Sequence, residues 1–379
     1  KRRVVHFGGF QASPPEKKFR HFQRQLARFS GAWNASADSA FVDAGEDIAR
    51  WTAAAAGPDW RVEVDYVLFC WDDVIRAERE RGWLTRLPLG FMAFFDFVLG
   101  GAFLAYLRAT WRYAAFFLYP FVMIAVLALI SANLAKYGLK LSGFEPAGPL
   151  RWVVSVVLFA IILPVLGNLM LLDYMLDNWI FARKSVQGPI PEIEARLDRL
   201  AALLDAAPDA ELLIVGHSFG PVHAAALVDR LIALRPDGPP IRFAALGSSI
   251  MKLAVHRGAG RLRGVLTRLS ASPRLIWADF TANTDFMNFF KAEPIRSLKL
   301  PGNPAIPRAV KFSRMLARKD YRYLQFNLLA MHNQFIQAGA RRAPYDFAML
   351  TLGPFALETF ANSPEGALGW IGPDGALTE

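Results

Sequence analysis

The chain has 379 residues, of which 54% are hydrophobic, 13% aromatic and only 20% charged. That apolar content excludes a disordered chain, and the single cysteine, Cys70, excludes a disulfide scaffold and points to a reducing compartment or to indifference to redox state. The net charge of +10 comes without zinc-finger spacing, an RRM signature or a basic-aromatic stripe, so no nucleic-acid partner is expected.

The basic residues are mostly arginine, which with the abundant alanine suggests a GC-rich bacterial genome. Lys1-Arg2-Arg3 opens the sequence, and the apolar run that follows is too short for a signal peptide. Residues 4–7 are β-branched or aromatic and end in Gly8-Gly9, which predicts a short strand and a turn. Residues 16–29 place Phe19, Phe22, Leu26 and Phe29 at helical spacing. Residues 60–71 alternate and then become continuously apolar, as a strand entering a buried sheet does. Cys70 therefore reads as core. Asp72 and Asp73 read as a strand-end turn rather than a cation site, because adjacent carboxylates point to different faces.

The middle of the chain carries the hydrophobic excess. Residues 87–107 are apolar but interrupted by Asp96 and Gly100-Gly101, which predicts a helix lying at a membrane interface, since a charge within a span is costly. Residues 114–135 and 152–172 contain no charge. Each reaches ~30 Å as a helix, enough to cross the hydrocarbon core. Pro120 and Pro164 are tolerated in such helices. The connecting loop holds Gly138, Gly143, Pro146, Gly148 and Pro149, so a transmembrane hairpin is expected with both flanks on one side of the bilayer. Arg108, Arg112, Arg183 and Lys184 flank the hairpin, against Lys136, Lys140 and Arg151 in its loop. This distribution, with the missing export signal, places the flanks on the cytoplasmic side of a bacterial inner membrane. Asp173 and Asp177, four apart on one helix face, read as polar anchors at the interface.

After the hairpin, residues 190–206 read as an amphipathic helix, 211–215 as a strand, 221–234 as a helix, and 241–246 and 274–278 as strands. Strands alternating with helices imply βαβ units and a mostly parallel sheet covered on both faces. The expected organisation is an α/β domain split into residues 1–86 and 183–342 around a membrane insertion at 87–182, with an irregular tail over 343–379.

Gly216-His217-Ser218-Phe219-Gly220 fits G-x-S-x-G between a buried strand and a helix. In that setting the glycines permit a sharp turn that lifts the serine hydroxyl out of the sheet, with the helix N-terminus aimed at the reacting centre. On this motif the chain resembles the α/β-hydrolase superfamily, in particular its lipase and esterase type. The resemblance implies a serine, an acid and a histidine in that chain order. Of six histidines, only His332 lies well past the elbow and after a plausible acid. Asp285, in the loop after the 274–278 strand, is the preferred acid; Asp279 at the expected strand end is the alternative and Asp320 a distant third. His6-Phe7-Gly8-Gly9-Phe10 is similar to the oxyanion loop of lipases, although Phe7 separates the histidine from the glycines. The resemblance then assigns the oxyanion hole to the backbone N–H groups of Phe10 and Phe219, with Gly9 and His217 against the substrate.

The expected function is a membrane-anchored serine hydrolase acting on acyl esters or thioesters of lipid-like substrates, without metal or organic cofactor. The alternatives are acyl transfer by the same triad and a non-catalytic membrane scaffold or lipid-binding module on the same fold.

Overall fold

A computed structural model of the protein describes residues 1–144, 148–206 and 210–378; Pro146 of the hairpin loop lies outside them. Eight strands form one sheet in the order β2-β3-β4-β1-β5-β6-β7-β8. They are β1 (Arg2–Phe7), β2 (Ser36–Ala44), β3 (Ile48–Ala56), β4 (Arg61–Phe69), β5 (Glu211–His217), β6 (Ile241–Leu246), β7 (Leu275–Ala282) and β8 (Ile306–Val310). From β4 to β8 every pairing is parallel, while β2, β3 and β4 run antiparallel as an added edge. Alternation along each central strand sends Val5, Phe7, Ile214 and Phe243 into one apolar cluster and Val4, Leu213, Val215 and Ala244 into another. The sheet is therefore buried on both faces, as parallel sheets are.

Three strands escape the sequence reading. β2 and β3 are rich in Ala, Ser and Asp, poor strand formers, and are held by period-two burial of Ala49, Trp51, Ala53 and Ala55. β8 carries Pro307, which an edge strand tolerates. β7 also runs further than expected, to Ala282, so Asp279 lies inside the strand and not at its end.

Helix α1 (Pro15–Trp33) covers one face with the aromatic and leucine stripe read from the sequence. After β4 the chain turns through α2 (Asp72–Arg79) into α3 (Trp83–Leu99), bent by 106°. α4 (Ala102–Ala109) follows a break at Gly100-Gly101, where Gly101 sits at φ 81°. Residues 87–107 thus form two short helices and not one continuous interfacial helix. Then come α5 (Trp111–Leu141) and α6 (Pro149–Leu169), packed side by side, each long and apolar enough to cross a membrane. They leave Val122, Leu129, Leu134, Val153, Ile161 and Val165 exposed. The second apolar segment ends at Leu169 instead of residue 172, because Leu171 takes a left-handed conformation before α7 (Leu172–Gln187).

The two aspartates of α7 differ from the sequence expectation. Asp173 pairs with Arg79 at 3.0 Å, and Asp177 is fully buried against the Arg86 Nε at 2.9 Å. They tie α7 to α2 and α3, and Asp177 is no water-facing anchor.

α8 (Pro191–Asp205), α9 (Gly220–Leu234), α10 (Ile250–Ala254) and α11 (Gly260–Ala271) pack on the face shared with the hairpin base. Short helices α12 (Pro294–Ser297), α13 (Phe312–Met315), α14 (Arg318–Leu324) and α15 (Leu328–Asn333) lead to α16 (Phe347–Leu352) and α17 (Leu357–Asn362). The tail is accordingly ordered structure, where an irregular wrap was expected. Its helices bury Phe347, Leu352, Leu357 and Phe360 against the α1 side of the sheet. Arg2 donates to the carbonyls of Thr351, Gly353 and Phe355 at 3.2, 3.1 and 2.5 Å, so the first strand anchors the last helices.

Candidate active site

The C-terminal ends of β1, β5, β6 and β7 meet along one edge of the sheet, with Ser218 following β5 and Asp285 following β7; no hydrogen bond joins Ser218 to His332 among the described residues. Ser218 follows β5 directly at φ 60°, a left-handed conformation that a non-glycine residue adopts at a cost. Surrounding bonds hold it: its N–H donates to Leu246 O at 3.0 Å, and its carbonyl accepts from Ser249 N at 2.8 Å. Both motif glycines are sterically required. A Cβ on Gly216 would lie 2.6 Å from Pro221 Cα, and one on Gly220 would lie 2.0 Å from Phe7 O. The turn therefore brings α9 hard against the end of β1.

His332 sits in α15, and its Nδ1 is 2.7 Å from Asp285 Oδ2, with both side chains buried. Asp285 Oδ1 also accepts from Met287 N at 2.8 Å. The acid loop is fixed by Asn288, whose side-chain amide donates to the carbonyls of Asp285 and Ala282 at 2.7 and 2.8 Å and whose oxygen accepts from Ala282 N at 3.1 Å. Asn288 was not singled out from sequence, where an asparagine in a loop carries no distinguishing signal. His332 Nε2 is buried and has no hydrogen-bond partner among the described residues. Gly247, just after the Leu246 that holds Ser218, leaves room for this ring: a Cβ there would lie 3.0 Å from His332 Cε1. Its φ of 53° suits glycine as well.

The other candidates separate from this group. Asp279 is buried within β7, and its Oδ1 has no hydrogen-bond partner among the described residues. Burial, helped by nearby Glu293, pushes its pKa up to about 8. Asp320 is exposed on α14. Asp72 accepts from Ser13 N and Lys18 Nζ, and Asp73 pairs with Arg196. Among the described residues no group of three or more His, Cys, Asp or Glu side chains is placed to hold a metal ion.

The raised Asp279 carboxyl has a consequence for stability. Between its ordinary value of 3.8 and about 8, the folded protein keeps a proton that the unfolded chain releases. Stability then falls as pH rises through this window. Asp279→Asn is expected to flatten the decline and to melt at a higher temperature than wild type at pH 8, with little difference at pH 4. Thermal melting at the two pH values checks this.

Gly9 packs directly on Ser218: a Cβ there would lie 2.8 Å from Ser218 Cβ and 3.2 Å from its Oγ. The Gln11 N–H closes on Gly9 O at 2.8 Å, a tight turn centred on Phe10. The Phe10 ring is buried against Trp71, Tyr174 and Phe181. Phe219, at the N-terminus of α9, packs on Phe181 and Trp71. Helix starts leave backbone N–H groups without intrahelical partners. His217 donates from Nε2 to His332 O at 3.1 Å, with the two rings 4.8 Å apart. Burial, and secondarily His332, holds its pKa well below the usual imidazole value.

The foot of the apolar hairpin touches the acid loop. Tyr113 stacks on Phe289 at 3.8 Å, Trp111 meets Phe286 edge-on, and Arg112 donates to the Asn283 side chain. No family model, curated protein or solved structure matches the chain.

Proposed function

We propose that the protein is a serine hydrolase of the α/β-hydrolase type, anchored in a bacterial inner membrane by α5 and α6, that cleaves acyl esters or thioesters of lipid-like substrates. The observation that carries this reading is the strained Ser218 at the strand–helix turn, on the same sheet edge as a buried His332–Asp285 pair with a free Nε2. In the reaction His332 Nε2 takes the Ser218 proton, Asp285 holds the imidazole tautomer and stabilises the imidazolium, and Ser218 Oγ bonds to the acyl carbon. The Phe10 and Phe219 N–H groups hold the oxyanion. Collapse of that intermediate expels the alcohol or thiol, which takes the proton from His332, and water then releases the acid by the same steps.

Membrane anchoring is supported by the 31- and 21-residue lengths of α5 and α6 and by their exposed apolar side chains. Arg108, Arg112, Arg183 and Lys184 favour a cytoplasmic sheet domain. Contact between the hairpin foot and the acid loop supports delivery of substrate from the lipid side.

A fluorophosphonate probe applied to the full chain in liposomes tests the catalytic reading. One covalent adduct is expected on Ser218 in wild type and none in Ser218→Ala. An adduct that survives Ser218→Ala, or no adduct in either protein, would overturn it.

A further inference from the structure

A cavity of about 300 Å³ opens beside the candidate active site, beneath α1 and away from the hairpin. It shares Gly9 and His217 with the site's surroundings but is not lined by Ser218 or His332. Its volume is at the lower end of the range for small-molecule sites.

The floor is aromatic. Trp51 and Tyr66 are stacked at 4.5 Å and 12°, and Phe22 packs on both. The rim is basic. Lys17, His21 and Arg24 lie at i, i+4 and i+7 on one face of α1, which brings them into a line along the opening. Lys17 and Arg24 are exposed and form no ion pair among the described residues. Lys18 is already paired with Asp72 at 2.8 Å. Among the described residues no acidic side chain lines the cavity. An apolar body fits the floor, and a negative charge fits the rim.

We infer that this cavity is a binding site for a small amphiphilic anion, an alkyl or aryl group bearing one carboxylate or phosphate, with its apolar part on Trp51, Tyr66 and Phe22 and its charge between Lys17 and Arg24. The inference stands apart from the hydrolase reading, since the cavity excludes the nucleophile and needs no turnover.

Two variants separate charge from shape. Lys17→Glu with Arg24→Glu reverses the rim at exposed positions. Gly8→Leu fills the cavity, because Gly8 lines it and a Cβ there meets nothing within 4 Å. Calorimetric titration of the full chain in a maltoside detergent, in the Ser218→Ala background, uses octanoate and octyl phosphate as probes and octan-1-ol as the neutral reference. At least one anion is expected to bind saturably, and more tightly than octanol. The charge reversal should weaken it by about tenfold or more, and Gly8→Leu should abolish it. The tighter of the two anions identifies the headgroup. The inference is overturned if neither anion saturates, if octanol binds equally well, or if both variants bind as wild type does. That last result would place the ligand in the detergent or on the hairpin.

Discussion

His332→Ala is expected to lower hydrolytic turnover by about 10⁴- to 10⁶-fold, with a much smaller change in KM. In the proposed reaction the imidazole takes the Ser218 proton, so its loss falls on the transition state and not on substrate binding. The proposed reaction gives this side chain the proton transfer because its Nε2 has no partner among the described residues and its Nδ1 lies 2.7 Å from Asp285. Alanine also leaves the buried Asp285 without one partner, so His332→Gln serves as the second variant: it keeps bulk and a donor toward the carboxylate but cannot act as the base. Turnover should be followed on a bilayer-embedded acyl ester and on a short soluble one, with circular dichroism as the check on folding. Equal loss on both substrates in both folded variants is expected. Turnover within about tenfold of wild type in either would remove His332 from the mechanism.

Gly220→Ala should have the largest effect of any single methyl group in the elbow. The added carbon would sit 2.0 Å from Phe7 O and 2.7 Å from Phe7 C, which are backbone atoms and cannot rotate away. Either α9 shifts from β1 or β1 shifts from the sheet, and both β1 pairings are central. Overpacking of a dense interior costs about 1–3 kcal/mol and occasionally more; contact with central backbone belongs at or beyond the upper end. The expected result is a melting temperature lower by several degrees or failure to fold, with fluorophosphonate labelling weakened in whatever folded protein remains. Gly264→Ala, on the open side of α11 with only Arg268 Nη1 at 3.6 Å, is the control and should be near neutral. Equal stability of the two variants would contradict the close approach of α9 and β1.

Much of the architecture is legible before any coordinates. Two uncharged runs of more than twenty residues have few solutions as structure, so α5 and α6 could be read directly. The strands at 4–7, 211–215 and 241–246 are short apolar runs bounded by glycine or proline, and each falls within the strand found there. The edge strands β2 and β3 were hidden because alanine and aspartate carry little strand preference of their own. Their state is set by pairing with β4. The tail was hidden for a related reason: helices of six residues have marginal stability alone and form by packing on the sheet and on the Arg2 guanidinium.

For the candidate site, local sequence determined the elbow, since a strand, two glycines around a serine and a helix are all encoded within about twenty residues. It determined the apolar hairpin in the same local way. Which aspartate meets His332 was decided by tertiary structure. Asp279 and Asp285 are six residues apart, and only the extension of β7 to Ala282 buries the first in the sheet and carries the second round to the imidazole. The place of His217 was decided likewise, through a bond to a carbonyl 115 residues away. Spacing along the chain says what a residue can do locally; which partner it meets across the sheet edge depends on where distant backbone ends, and that follows from packing.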